Sequence, residues 1–158
     1  MAKAEELAKA FEQANDEVIA ACESCSEADW GKVTSEEQWS IGVLAHHLAG
    51  GHQIIAGLAV AMGSGQVPDV PSMEKIHENN AAHAKQFAKV GKTETLELLR
   101  SNGAQAAEMV RGMSDEQLAK TAVLAPVGAD PVSAQFVIEG ILIGTIQGHM
   151  KSFNATVR

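Results

Sequence analysis

The chain has 158 residues, 46% of them hydrophobic and only 4% aromatic, with a formal net charge of −8. That length suits one domain over 1–158 around one substantial core, and an acidic chain without a Lys/Arg run excludes nucleic acid as the expected partner, because nothing displaces counterions from phosphates. No apolar run reaches about 18 residues without interruption, and the first ten residues alternate in charge. No membrane contact and no leader are therefore expected, and the expectation is a cytoplasmic protein that meets small molecules or other proteins.

Alanine, leucine and glutamate dominate, as in helix bundles, and alternating β-branched segments are absent. From Ala2 to about Ser24, Leu7, Phe11, Ala14, Val18, Ala21 and Cys25 recur at spacings of four and three, which predicts an amphipathic first helix. A connection through residues 27–31 leads to Trp39, placed to pack back on the helix that Ser40 caps. This second helix runs to about Met62, with Leu44, Leu48, Gly51, Ile55, Leu58 and Met62 as its buried stripe. His47 lies at the stripe's edge with its ring toward the interior, while His46 and His52 face elsewhere. Gly50 and Gly51 suggest a close neighbour just below His47.

Residues 63–71, with two glycines and two prolines, break the pattern. Ser72 caps a third, more polar helix to about Val90, and Thr93 caps a fourth that ends near Gly112. Ser114 to Gln117 has the form of a capping box opening a short helix to about Lys120. The last helix starts near Pro131 and continues to about Thr156. One of its stripes is Val132, Phe136, Glu139, Ile143, Ile146, Met150, Phe153 and Val157; a second is Ile138, Leu142, Thr145 and His149. Gly140, Gly144 and Gly148 give it a thin face for a neighbour.

His47 and His149 thus each lie on an inward stripe of a core helix. Two imidazoles are as easily buried polar residues as metal ligands, because a catalytic divalent ion usually takes three protein ligands and an open position. Cys22 and Cys25 form a C-x-x-C, but at a helix C-terminus with Glu23, Glu27 and Asp29 nearby, so poor nucleophiles are expected.

Several segments resemble the DinB-like (damage-inducible) superfamily, which includes mycothiol-dependent maleylpyruvate isomerase N-terminal domains and bacillithiol transferases. Trp39-Ser40 with Val43-Leu44-Ala45-His46-His47-Leu48-Ala49 looks like the family's W-S-x-x-x-x-L-A-x-H-L-A signature. Asn80 to Ala84, Leu98 to Arg100, Val110 to Leu118 and Gly148 to Phe153 follow in the family's order and cover nearly the whole chain. The resemblance implies an all-α fold, an up-down-down-up four-helix bundle with a short additional helix. It also implies a nickel or zinc ion on a three-histidine triad, with His47 as first ligand.

The family's other two ligands form a His-x-x-x-His pair on the last helix. His149 matches the second, whereas Thr145 stands where the first is expected, and a threonine hydroxyl is a poor ligand for such ions. Glu139 is about 15 Å along the helix from His149, and His52 is roughly 140° round from His47, so neither completes a triad. His77 and His83 read as solvated or loosely bonded, though either could be a ligand from another helix. No carboxylate is placed near His47 by helical spacing, so the catalytic residues stay unassigned.

The functions implied are an inter-helix pocket for a small molecule or metal, serving a metal-dependent thiol transferase or hydrolase, or a divergent, non-catalytic binding or stress-response module that has lost the triad. A third reading is a structural homodimer whose histidines are buried polar residues; a homodimer is the expected assembly.

Overall fold

In a computed structural model, which describes residues 2–158, the chain is all-α apart from one tiny strand pair. Met1, part of the single-domain expectation, lies outside the described residues. Helices α1 (Ala2–Ser24), α2 (Glu27–Trp30), α3 (Ile41–Gly63), α4 (Met73–Gln86), α5 (Lys92–Arg111) and α6 (Asp115–Leu118) follow in order. Strands β1 (Thr121–Ala122) and β2 (Val132–Ser133) pair antiparallel, Thr121 opposite Ser133. The final rod is α7 (Ala134–Phe136), a π-helical stretch Val137–Ile143, and α8 (Gly144–Val157).

The amphipathic stripe of α1 buries Leu7, Phe11, Ala14, Val18 and Cys25 as its spacing predicts. They share one core with Leu44 and Met62 of α3, Leu99 and Val110 of α5, and Val137, Ile138, Leu142 and Phe153 of the final rod. Helix α4 contributes no buried residue, because its length is polar on most sides. Helix α3 is long and apolar enough to cross a membrane by length and composition, but half of its most apolar window is buried inside the protein, as for a core helix.

Several boundaries differ from the sequence expectation for identifiable reasons. Residues 27–30 form a helical turn, since Ser26 and Asp29 make a reciprocal capping box. Helix α4 stops at Gln86 rather than Val90. Helix α5 starts at Lys92 with Gly91, not Thr93, as its cap: the Glu94 carboxylate accepts from the Gly91 amide at 2.9 Å. Ser133, not Pro131, opens the final rod, its hydroxyl accepting from the Phe136 amide, because residues 132–133 are drawn into the strand pair. Ile143, Ile146 and Phe153 of the first expected stripe and Ile138 and Leu142 of the second are buried, but around the π stretch, which adds a residue to the turn, Phe136 and Glu139 are exposed and Val137 is buried instead.

The close approaches also fall elsewhere. A Cβ at Gly50 or Gly148 would meet nothing within 4 Å, and those at Gly140 and Gly144 would meet only their own helical rod, so neither glycine run seats a neighbouring helix. A Cβ at Gly42 would come within 2.5 Å of the Trp30 indole, whose Nε1 donates to the Val90 carbonyl at 2.9 Å. Gly103 of α5 faces the Asn15 amide, with no space for a Cβ.

That second contact belongs to a buried joint of three helices. Asn15 of α1 donates through Nδ2 to the Leu99 carbonyl of α5 at 2.9 Å, and its Oδ1 lies 2.7 Å from Nε2 of His52 on α3. The His52 ring meets Phe11 edge-on at 4.9 Å. His52, 1% exposed, is thus the inward histidine of α3, contrary to the expectation that it faces elsewhere; His46 is buried too, and His47 is only half-buried. Of the expected stripe of α3, Leu44, Leu48 and Met62 are buried and Gly51, Ile55 and Leu58 only partly so; Ala45, Ala49, His52, Ala56 and Ala59 are buried beside them, where the alanines let α5 pack closely.

Burial pushes the His52 imidazole down to about 4, below the ordinary unfolded value of about 6.5. The unfolded chain therefore takes up the proton first, so this contribution to stability is complete above about pH 6.5 and is lost progressively as pH falls to about 4. The loss is on the order of 3 kcal/mol. Denaturant titrations across that window should show the decline, and His52→Gln should remove the His52 share of it; an unchanged slope in the variant would refute the assignment.

Candidate functional site

The site begins in the loop between α2 and α3, where the sequence offers no periodic signal. An isolated bridge pairs Val33 with Ser40, and the Thr34 amide donates to the Trp39 carbonyl at 2.8 Å, closing a tight loop. Within it Gln38 has φ 61°, left-handed backbone that costs a non-glycine residue roughly 1–2 kcal/mol. Its side chain offsets this by donating to the Ser35 carbonyl at 2.7 Å. The reversal leaves Glu37 and Trp39, on either side of Gln38, turned to α8 and α3.

Glu37 then meets two residues of α8. Its Oε2 lies 2.7 Å from His149 Nδ1, and its Oε1 accepts from the Ser152 hydroxyl at 2.6 Å. Burial acts to raise the Glu37 carboxyl, but the bonds from Ser152 and His149 outweigh it and hold the group below the usual carboxylate range. A carboxylate can only accept, so His149 carries its proton on Nδ1 and Nε2 is its remaining nitrogen. No helical spacing could have found Glu37, which is 112 residues from its partner.

His47 lies beside this pair, its ring centroid 5.3 Å from that of His149 and nearly perpendicular to it. The Trp39 ring covers both, 4.9 Å from His47 and 6.0 Å from His149. Burial, then His149 and His83, push His47 down to about 4, so its imidazole is neutral at pH 7. On the other side of His47, His83 of α4 lies 5.9 Å away and is no solvated side chain: its Nε2 is 2.7 Å from His46 Nδ1, and both rings stack near Phe87. Burial lowers the pKa of His46, and burial with His46 lowers that of His83. His77 is exposed.

Next to His149 is a hollow of about 300 Å³ lined by Glu36, Glu37, Thr145, Gly148 and His149. Thr145 therefore borders the site while contributing no imidazole. Cys22 and Cys25 are free and buried elsewhere in the core, and burial with the neighbouring Cys25 pushes the Cys22 thiol up to about 12. Lys92 donates to the Glu23 and Cys25 carbonyls, capping the end of α1 with a cation.

The family model for the mycothiol maleylpyruvate isomerase N-terminal domain matches residues 11–140. The chain belongs to that family, part of the DinB-like superfamily. No curated protein and no solved structure matches it. The match takes in Glu37, Trp39 and His47 of the DinB-like chain and ends before Thr145, His149 and Ser152.

The superfamily implies a metal, and the donor set can be tested against one. Two imidazoles sharing an ion at about 2.1 Å per bond have ring centroids about 5 Å apart, which the 5.3 Å separation of His47 and His149 matches. Glu37 behind His149 has the form of the carboxylate that commonly orients a ligating histidine. Yet no group of three His, Cys, Asp or Glu side chains that could hold an ion is gathered among the described residues. The DinB-like chain thus brings two imidazoles to a separation one ion could span, with no third such side chain gathered with them to hold it among the described residues, so the residues present do not fit a three-ligand centre.

Glu37→Gln should replace the carboxylate with an amide that can donate as well as accept, freeing His149 to exchange tautomers. Long-range proton–nitrogen NMR of the imidazoles should show one His149 tautomer in the parent and a mixture in the variant. A mixture already present in the parent would show that Glu37 does not orient the ring.

Proposed function

We propose that the DinB-like chain binds a small protic molecule in the hollow and removes its proton with His149, serving thiol transfer or hydrolysis. The observation that carries this reading is the 2.7 Å contact between Glu37 Oε2 and His149 Nδ1. A carboxylate that holds Nδ1–H fixes which nitrogen of the ring is turned to the ligand, and such oriented general bases contribute about 10²–10⁴-fold to rate. The proton passes from the S–H or O–H of the bound molecule to His149 Nε2. The imidazolium formed is held against Glu37, which Ser152 keeps in place. Neutral His47 packs against the His149 ring beside the hollow, and the Trp39 ring flanks both.

A second reading, a binding module without catalysis, is favoured by Thr145 at the position of the missing imidazole. 2-Mercaptoethanol and 1-chloro-2,4-dinitrobenzene provide an uncharged thiol and an electrophile for the test. The parent should accelerate their coupling, and Glu37→Gln or His149→Ala should slow it at least about tenfold. Equal rates in parent and variants would leave the binding-module reading standing.

On the base reading, tightly held nickel or zinc is not required. Elemental analysis of untagged parent should find far less than one ion per chain, whereas Thr145→His, which adds a third imidazole, should bring it to about one. Stoichiometric nickel or zinc in the parent that disappears in His47→Ala would instead support a metal-dependent transferase.

A further inference from the structure

The lining of the hollow bears on which molecules enter it. Two of its five lining residues, Glu36 and Glu37, carry carboxylates, and none is lysine or arginine. Glu37 is committed to His149 and Ser152. Glu36 is exposed and forms no hydrogen bond or ion pair among the described residues, so its charge is free to meet a ligand. An anionic ligand would meet two like charges with no compensating cation, in a chain already at −8. At about 300 Å³ the space is at the lower end of the range for small-molecule pockets.

We propose that this hollow selects small molecules bearing a protonated amine and rejects carboxylates and phosphates, with Glu36 as the residue that determines the choice. The proposal rests on the reading of the hollow as the ligand pocket and adds the charge class of its occupant. The ammonium group sits against Glu36 at the rim, while the rest of the ligand reaches past Gly148 toward His149. Because Glu36 is exposed, the attraction is modest and screened by salt. The larger part of the discrimination comes from the repulsion that both carboxylates exert on an anion.

Benzylamine, benzyl alcohol and benzoate share one shape and differ in charge, and their affinities for the folded full chain can be read by ligand-observed NMR. Benzylamine should bind at least tenfold more tightly than benzoate, with the alcohol between them, and the ratio should shrink between about 0.05 M and about 0.5 M salt. Glu36→Gln should bring the amine to the level of the alcohol, and Glu36→Lys should favour benzoate. Gly148→Leu should abolish binding of all three while leaving the fold intact, since a Cβ at this position meets no protein atom within 4 Å.

Benzoate binding as well as benzylamine, or a ratio unmoved by Glu36→Gln, overturns the charge selection and leaves the pocket reading intact. Binding that persists in Gly148→Leu, or no binding of any probe to the parent, overturns the pocket itself and the selection with it.

Discussion

The buried joint of Asn15, His52 and the Leu99 carbonyl sets the rotation of α3, and the site follows from that rotation. Asn15 reaches into α3 and α5 from α1, and Gly103 gives it the space to do so. An unpaired polar group buried here would cost about 1–3 kcal/mol, so the three helices can satisfy it only in one mutual arrangement. Once His52 faces the core, His47, five residues earlier and therefore about 140° round the helix, is carried to the edge of the core. There it is half-buried and meets α8 and the loop before α3. The same helix thus uses one histidine to fix its packing and places another against His149 and Trp39 at the core's edge.

The two roles impose different environments. His52 is enclosed by Phe11 and Asn15 and held neutral by burial. His47 is also pushed down, but by burial together with the neighbouring imidazoles of His149 and His83, so that it presents a neutral ring to whatever lies beside it. His149 differs in having a carboxylate behind it. The reversal at Gln38, with its positive φ, lies between Glu37, which meets α8, and Trp39, which meets α3.

The range matched by the mycothiol maleylpyruvate isomerase N-terminal domain family takes in the loop, the second long helix and most of the core, while Leu7 at one end and Leu142 and Phe153 at the other lie outside it. It does not extend to α8, where this chain keeps an imidazole at 149 and has threonine at 145. The geometry retains a pair of rings at a separation suited to one shared atom, and adds an unpaired carboxylate at the rim of the hollow beside His149. Chemistry by a carboxylate-oriented base draws on what is present; a three-ligand ion requires what position 145 lacks.

The sequence by itself determined the helical class, the spans of α1, α3 and α5 to within a few residues, the caps at Ser40, Ser72 and Ser114, and His47 with His149 as the pair to watch. These are local quantities: apolar spacing, capping hydroxyls and an ordered set of short motifs. Only the tertiary structure decided which histidine of α3 faces the core, because several alanine-rich faces of that helix are apolar enough to bury and the choice was made by Asn15 on another helix. The tertiary structure also brought Glu37 to His149, and left Phe136 and Glu139 exposed beside a π turn that leaves no mark in apolar spacing. A carboxylate in an irregular loop carries no periodicity, so its partner 112 residues away becomes visible only when the chain has closed on itself.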